Sequence, residues 1–462
     1  MQHRIRSTIA RSGRGLARFV AAWLMLVAVA LPALADDAGR LSPEAVVLEN
    51  GLTLVVVANP AMPAVAHYVF YKVGSIDEPW GKSGIAHFLE HLMFKGTPSV
   101  PDAAFSRVIA RNGGRDNAFT SYDFTGYYQT VPADKLPLVM EMEADRMANL
   151  SFTEGQLESE RRVVLEERFS RTDNNPSAQL REQTRAALYL NHPYRLPVIG
   201  WEHEIRQLSH ADARAFYEHW YAPNNAIVVV GGRVTMAEAR PLAERTYGRV
   251  AARPLPPRTV VQEPSRVAET RIEMASDRVR QPYVNRAYIA PSLLNGDTRH
   301  AYPLEVLATI MGSGVSSRLN RALVLEGSLA VSASTSYDSS QRGPATFNIF
   351  ATPRQDVPVA AVEAAIGAEV DRVLADGVTD AEVARAVRRI QDSAVYARDS
   401  LSGPARIVGS ALAIGLPLEE VDAWPDRIGA VTAAAVAEAA RFVFRPENLA
   451  TSILVPKRPQ GS

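Results

Sequence analysis

Residues 83–97 read SGIAHFLEHLMFKGT and place two histidines and a carboxylate within five positions. His87 and His91 are four residues apart, so on a helix they lie one turn apart on the same face. At that spacing two imidazoles can converge on one metal ion. Glu90 follows His87 by three positions and reaches the same face. The stretch therefore predicts a metal site.

This metal site requires a helix in the region. Ser83 is a suitable N-cap, the run Gly84–Phe94 contains no proline, and Gly96 is a suitable terminator. The alternative is an ordinary helix with one buried and one solvated histidine. The pattern H-x-x-E-H favours the metal site, because it is the inverted form of a zinc-hydrolase signature.

Two histidines do not complete such a site, since catalytic zinc normally takes three protein ligands. The chain has no cysteine, so the third ligand must be a carboxylate or another histidine. The stretch QLESERRVVLEERFSR (156–171) has helical periodicity, and Glu160 and Glu167 lie two turns apart on one face. By itself it resembles a solvated, salt-bridged helix. The need for a third ligand favours Glu167, with Glu160 as a carboxylate that orients a ligand.

The composition is that of a globular protein long enough for more than one domain. Apolar residues make up 47% and charged residues 22% of 462 residues. The absence of cysteine excludes zinc–thiolate sites, structural disulfides and a thiol nucleophile.

Residues 1–35 have the three parts of a secretory signal peptide. Five arginines precede an apolar run that ends in Ala33-Leu34-Ala35, followed by two aspartates. Removing this segment leaves 45 basic and 50 acidic residues, a net charge of −5. We therefore expect a periplasmic protein that does not bind nucleic acid and has no membrane span after cleavage. The alternative is an N-terminal membrane anchor.

The rest of the chain repeats one pattern. YAPNNAIVVVGG (221–232) and FRPENLATSILVP (444–456) both pass from an x-P-x-N turn into a strand rich in Val and Ile, and their prolines lie 223 residues apart. This predicts an α+β fold of two tandem homologous domains, each a mainly antiparallel sheet with packed helices. The predicted domains are residues 36–250 and 269–462, and a proline-rich linker (251–268) joins them. The stretches LTLVVVAN and AVAHYVFYKVGS are interpreted as paired strands.

Several motifs give the chain a specific resemblance. It resembles the pitrilysin/insulinase family of zinc metallopeptidases, in the branch of the processing peptidases. The similarity begins with HFLEHLMFKGT and ERRVVLEE, which put Glu167 76 residues after His91. It continues through GGRDNAFTSYDFTGYY, HPYRLPVIGWEHEI, YAPNNAIVVVGG and, in outline, MGSGVSSRLNRAL.

The resemblance implies a fold, a cofactor and roles for residues. Family members are pairs of α+β domains that close over a central chamber. One zinc ion per chain would be bound by His87, His91 and Glu167, with Glu160 in support and Glu90 as general base. Peptide substrates would lie extended along a strand edge formed by Asn117, Ala118, Phe119 and Thr120. From sequence alone, those four residues fit an ordinary edge strand equally well.

The chain departs from the family at two positions. Single-chain active members carry an arginine and a tyrosine in the second domain that hold the substrate carbonyl. Alignment on SSRL (316–319) puts Val324 and Val331 at these positions. Neither side chain can donate a hydrogen bond. We therefore expect a homologous partner subunit that supplies the Arg/Tyr clamp. A small shift in register is the alternative, since Arg318, Arg321 and Tyr337 are close in sequence.

The predicted function is a zinc-dependent metalloendopeptidase that cuts short or unfolded peptides as the metal-bearing subunit of a heteromer. The alternative is a catalytically weak peptide-binding or scaffolding subunit of the same family. A third possibility, another kind of zinc hydrolase, is disfavoured because the resemblance covers nearly the whole chain after residue 35.

Overall fold

The computed structural model of the protein describes residues 41–101 and 104–457, which form two β-sheets and the helices that cover them. The predicted α+β class is confirmed. The predicted signal peptide, residues 1–35, lies outside the described ranges and stays a prediction. Within those ranges, every helix is too short or too polar to cross a bilayer.

The first half of the chain builds the six-stranded sheet. Its elements are β1 (Glu44–Val47), β2 (Thr53–Ala58), β3 (Ala64–Tyr71), α1 (Ile85–Leu92), α2 (Ala104–Arg111), β4 (Arg115–Thr120), β5 (Thr125–Pro132), α3 (Leu136–Asn149), α4 (Glu154–Arg168), α5 (Pro176–Leu188), α6 (Glu202–Ile205), α7 (His210–Trp220), β6 (Ala226–Gly232) and α8 (Met236–Arg245). The sheet order is β1-β2-β6-β3-β5-β4, so β4 is an edge strand.

The second half builds the five-stranded sheet. Its elements are β7 (Thr270–Ser276), β8 (Tyr283–Ala290), α9 (Ala301–Gly312), β9 (Ala330–Ser336), β10 (Ala345–Pro353), α10 (Val359–Asp376), α11 (Asp380–Asp399), α12 (Gly403–Ile414), α13 (Leu418–Gly429), α14 (Ala433–Val443) and β11 (Leu449–Pro456). A π-helical turn, Asn320–Glu326, precedes β9. The sheet order is β7-β11-β8-β10-β9.

The two sheets share one topology. Without β1, the first sheet runs β2-β6-β3-β5-β4, and each strand matches one of the second sheet in order. In both sheets the first strand pairs in parallel with the last strand of its half, β2 with β6 and β7 with β11. The remaining pairs are antiparallel. The prediction of two similar, mainly antiparallel halves is therefore confirmed.

The predicted pairing of LTLVVVAN with AVAHYVFYKVGS is wrong. These stretches form β2 and β3, but β6 lies between them and pairs with both. Sequence neighbours suggest a hairpin, whereas β6 arrives from more than 150 residues later and fills the gap. Its run AIVVVGG is buried throughout, as expected of a central strand covered on both faces.

One helix from each half packs on the sheet of the other half. From the first half, α5 packs on β11 and β7, and from the second half α12 packs on β6 and β3. Gly409 of α12 lies against the Phe70 ring, where a Cβ atom would overlap the ring carbons. This glycine allows the close approach of α12 to the first sheet.

Residues 251–268 form neither helix nor strand, in keeping with the predicted linker. The segment is held at several points. The carboxylate of Glu263 accepts hydrogen bonds from the amides of Leu190, Asn191 and His192, at 2.5, 3.1 and 2.8 Å. The domain boundaries around the linker stay a prediction.

Candidate metal centre

Three predicted metal ligands converge in the structure. His87 and His91 lie on α1 and Glu167 lies near the end of α4, and one ligand atom of each falls within 4.8 Å of the other two. Oε2 of Glu167 is 3.7 Å from Nε2 of His87 and 3.3 Å from Nε2 of His91. This is the only such group of three among the described residues.

These separations fit zinc. Donor atoms bound about 2.0–2.1 Å from one tetrahedral ion lie roughly 3.3–3.5 Å from each other. Both nitrogen–oxygen distances are close to this edge length, and the donors are two imidazoles and a carboxylate, a set that zinc favours. The residues present therefore fit the metal that the sequence implies.

The start of α1 differs from the prediction. Its N-cap is Gly84, not Ser83, and the helix runs from Ile85 to Leu92. The backbone of Gly84 is left-handed, with φ of +86°. In place of a side-chain cap from Ser83, the carboxylate of Glu78 accepts from the amides of Gly84 and Ala86, at 2.9 and 3.0 Å. A carboxylate at this end also complements the helix dipole.

A close crossing of two chain segments fixes that start. At Gly84 a Cβ atom would lie 2.5 Å from the carbonyl oxygen of Ile199, and at Gly200 (φ +88°) it would lie 2.7 Å from Cα of Gly84. Ser83 joins the segments, because its hydroxyl accepts from the amide of Trp201 at 2.9 Å. The histidine helix is thus anchored where only glycine fits on both sides.

The carboxylate helix is anchored separately. The Thr153 side chain caps α4 by accepting from the amide of Gln156, and the side-chain oxygen of Gln156 accepts in turn from the amide of Thr153. Glu160, two turns before Glu167, faces α1, where its Oε1 lies 2.8 Å from Nδ1 of His91. The ammonium of Lys95 contacts the other oxygen of Glu160. Glu160 thereby orients the His91 ring so that Nε2 faces Glu167.

The two histidines differ in their affinity for protons. Burial, with a further contribution from His91, lowers the pKa of His87 to about 4. Burial also opposes protonation of His91, but the hydrogen bonds to Glu160 and Glu167 outweigh it and raise the pKa of His91 to about 9. His87 is therefore a neutral imidazole at neutral pH, the form that binds metal.

Glu90 lies beside the three ligands and contacts the edge strand. Its Oε2 accepts a hydrogen bond from the hydroxyl of Thr120 at 2.5 Å. Burial raises the pKa of Glu90, although the bond from Thr120 opposes the rise. A buried carboxylate with a raised pKa beside a metal site is suited to accept a proton.

The four residues predicted to bind substrate all lie on β4, the free edge of the first sheet. Thr120 contacts Glu90, whereas Phe119 lies over Gly126 in an edge-on contact with Phe70, at 6.2 Å between ring centres. Asn117 uses its side-chain oxygen to accept from the amide of Ala118 at 2.9 Å. A peptide that pairs with this edge would replace the Asn117 side chain as the acceptor for the amide of Ala118.

Comparison with known proteins identifies the family of the chain. Residues 53–201 match the family model described as insulinase, peptidase family M16. The zinc protease PqqE of Helicobacter pylori is 32% identical over 346 residues, which cover 74% of this chain and 76% of that protein. This chain belongs to the insulinase family of peptidases.

Two further comparisons extend over most of the chain. An uncharacterized zinc protease of Mycobacterium tuberculosis is 31% identical over 384 residues, 82% of this chain and 86% of that protein. The crystal structure of a protease from Helicobacter pylori superposes with a TM-score of 0.85 at 28% identity, over 90% of this chain and all of that one. The insulinase-family fold therefore extends through both halves.

A second family model matches from the last part of the first half into the second half. Residues 207–390 match the one described as the peptidase M16 inactive domain. Of the two positions predicted to correspond to the clamp, Val324 is half-buried in the π-helical turn and Val331 is exposed on β9. Neither valine offers a donor to a substrate carbonyl.

The nearby side chains considered as substitutes are engaged elsewhere. Arg318 forms a bidentate ion pair with Glu382, at 2.7 and 2.8 Å. Arg321 pairs with Glu326 at 2.9 Å. The hydroxyl of Tyr337 donates to the carbonyl of Pro291 at 2.7 Å.

Sequence reasoning missed several residues of this candidate site. Arg171, in the π-helical turn that follows α4, forms an ion pair with Glu167, and their i, i+4 spacing was a usable signal. Lys95 follows His91 by the same spacing. Nothing in the local sequence marks Glu78 as the helix cap or Gly200 as its crossing partner, because both contacts depend on tertiary structure.

Proposed function

We propose that this protein is a zinc-dependent endopeptidase that acts on extended peptides in the periplasm. The convergence of His87, His91 and Glu167 beside the buried carboxylate of Glu90 carries the proposal. The names of the relatives as zinc proteases support it. The predicted signal peptide supports the location.

Each residue of the site has a distinct role in this proposal. His87, His91 and Glu167 hold the ion, and Glu160 fixes the tautomer and orientation of His91. When bound, zinc polarises the scissile carbonyl and lowers the pKa of a water molecule towards about 7. Glu90 accepts the proton of the attacking water and donates it to the leaving nitrogen.

The substrate lies along β4 in this mechanism. A peptide that adds to this edge forms main-chain hydrogen bonds, so its backbone is held in register while its side chains stay variable. Thr120 connects the edge to Glu90, so a peptide that lies against Thr120 brings its scissile bond to the base. This arrangement suits unfolded or short peptides, which can adopt the extended form.

We also propose a homologous partner subunit. The oxyanion formed during hydrolysis needs donors, and losing one typically costs about 10²–10³ in rate. Val324 and Val331 supply none, and Arg318, Arg321 and Tyr337 are bonded within the second half. An arginine and a tyrosine from a second chain would complete the site.

The same valines favour one other function. A chain with a metal site but no clamp could bind peptides or scaffold a partner with little turnover of its own. The two functions differ in whether the complete assembly hydrolyses peptides.

Cleavage of a quenched fluorescent peptide distinguishes them. We expect the zinc-loaded protein to hydrolyse the peptide, weakly alone and at least tenfold faster with the partner subunit that co-purifies with it. The Glu90→Gln variant should lose this activity and keep its zinc. The control is Glu166→Gln, the same chemical change at an exposed glutamate beside Glu167, and it should retain activity. Peptide binding without cleavage in either state would refute the endopeptidase and support the binding subunit.

A further inference from the structure

A cleft of about 470 Å³ lies between α5 with its following loop and strands β8 and β10 of the second sheet. Two residues of its wall relate it to the candidate metal centre. Arg171, which pairs with Glu167, forms part of its wall. Tyr122, two residues beyond Thr120 at the end of β4, forms another part. A peptide on β4 would reach this cleft as it leaves the strand.

The lining of the cleft is strongly basic. Its charged members are four arginines and one glutamate: Arg171, Arg181, Arg185, Arg195 and Glu182. The guanidinium of Arg168 neutralises the glutamate through two hydrogen bonds of 2.9 and 3.0 Å. Glu167 neutralises Arg171. Positive charge therefore remains in the cleft.

Three of these arginines form no ion pair with a carboxylate of the described residues. They are Arg181, Arg185 and Arg195, and the last donates to the carbonyl of Leu190 at 2.8 Å. A guanidinium in a partly enclosed cleft is costly to desolvate without an anion. The set is thus suited to bind one.

Arg185 is held in place before any ligand arrives. Its guanidinium lies over the ring of Tyr122 at 4.5 Å and near that of Tyr189 at 5.6 Å. Stacking on these rings restricts the side chain, so little conformational entropy remains to be lost on binding. Such a rigid fork matches the two oxygens of a carboxylate.

The opposite wall offers a complementary group. Asn285 of β8 lines the cleft, and its side-chain oxygen is buried without a hydrogen-bond partner. A buried amide oxygen gains from a donor such as a peptide N–H. The cleft therefore presents guanidinium groups for a carboxylate and an acceptor for an amide, the two polar features that an acidic peptide residue or a peptide C-terminus combines.

We propose that this cleft is a specificity subsite that binds a carboxylate of the peptide substrate. The inference rests on the proposed peptidase function and names the substrate class for the same site. Tyr122 follows Thr120 by two residues, in the turn between β4 and β5, so this wall of the cleft lies next to the end of the edge strand that contacts Glu90. The recognised carboxylate is therefore near the scissile bond, either as an Asp or Glu side chain or as the chain terminus.

Binding to zinc-loaded Glu90→Gln protein tests the subsite without turnover. The probes are fluorescent peptides blocked at both ends, with Glu, Gln or Lys at each of the four positions nearest the scissile bond. A neutral peptide with a free or an amidated C-terminus forms a second pair. We expect one carboxylate probe to bind about tenfold or more tightly than its neutral counterpart, the order expected for a charged hydrogen bond.

Variants locate the effect in the cleft. Arg181→Gln, at an exposed position on α5, should reduce the carboxylate preference severalfold, and Arg185→Lys should reduce it further. Arg441→Gln is the matched control, because it removes the same charge from an exposed position on α14 and should leave the preference intact. Thermal unfolding of each variant shows whether it is folded.

The outcomes separate the two proposals. Equal binding of the carboxylate and neutral probes, or a preference unchanged in both cleft variants, would overturn the subsite even if the wild-type protein cleaves peptides. A preference that depends on Arg181, in a wild-type protein that cleaves nothing with or without its partner, would retain the subsite and refute the peptidase. The pair of probes that shows the effect identifies the source of the carboxylate.

Discussion

The hydroxyl of Thr120 donates a hydrogen bond of 2.5 Å to the carboxylate of Glu90. This contact joins the edge strand β4 to the proposed general base on α1. It means that the strand expected to hold the substrate also fixes the group that acts on it. Positioning and proton transfer are therefore structurally coupled.

Replacing Thr120 with valine tests this coupling. Thr120→Val keeps the shape of the side chain but removes the donor, so the Glu90 carboxylate loses its orientation. We expect kcat to fall about tenfold with little change in KM, because the missing contact acts on the base. Thr120→Ser should restore most of kcat. An unchanged kcat in the valine variant would exclude a positioning role.

Metal content tests the assignment of the carboxylates. Glu167→Ala should not retain stoichiometric zinc through purification, because only two protein ligands, the imidazoles of His87 and His91, remain. Glu160→Gln should bind zinc about 10–100-fold more weakly, the usual effect of removing a partner of a ligating histidine. Elemental analysis and competition with a chelating dye measure both. Glu166→Ala, at the exposed neighbour of Glu167, should bind zinc normally. Full zinc occupancy in Glu167→Ala would show that the third ligand is another residue.

The glycine crossing at the start of α1 predicts a large cost for a small change. In Gly200→Ala the new methyl group would overlap the backbone of Ser83 and Gly84, and alanine would have to adopt the left-handed backbone conformation of Gly200. We expect a loss of about 3 kcal/mol in the free energy of unfolding, with weaker zinc binding as α1 shifts.

Gly415→Ala provides the control for that change. Gly415 also has positive φ, at +101°, but has open space where its Cβ would lie. Only the conformational cost should remain, about 1 kcal/mol. Denaturant unfolding measures both variants, and equal losses would mean that the crossing can relax around a side chain.

Glu305 on α9 makes the stability of the protein depend on pH. Burial raises the pKa of Glu305 to about 7, although a hydrogen bond with Ser339 opposes the rise. Between about pH 4.5 and 7 the carboxyl group of Glu305 is protonated in the folded protein and ionised in the unfolded chain. The contribution to stability is thus full below about pH 4.5 and is lost as pH rises through about 7, by roughly 3 kcal/mol.

The Glu305→Gln variant should lack this dependence. Above about pH 7 it should be more stable than the wild-type protein by roughly 3 kcal/mol, and near pH 4.5 the two should be similar. Denaturant unfolding at about pH 5 and about pH 8 makes the comparison. Glu273→Gln, at an exposed position on β7, should follow the wild-type curve. A parallel curve for Glu305→Gln would contradict the assignment.

The features that the sequence predicted are periodic ones. His87, Glu90 and His91 repeat with the turn of one helix, and Glu160 and Glu167 with two turns of another, so their shared faces follow from helix geometry alone. The repeated turn before β6 and β11 likewise revealed the two halves. Local spacing was sufficient for these elements.

The features that it did not predict depend on distant segments. Glu78 and Gly200 control the start of α1 through contacts that no local pattern encodes. The arginines of α5 are spaced as on any solvated helix, and only the packing of α5 on the second sheet turns them toward a cleft. The position of β6 between β2 and β3 was missed for the same reason.

The exchange of α5 and α12 makes the two halves interdependent for solubility. A fragment that ends before the linker would lack α12, and the aromatic and valine side chains beneath that helix would be open to water. A fragment that begins after the linker would expose the surface that α5 covers. Expressed separately, each fragment should aggregate, whereas co-expression, or proteolytic nicking of the intact chain within 251–268, should yield one soluble particle that unfolds in a single transition.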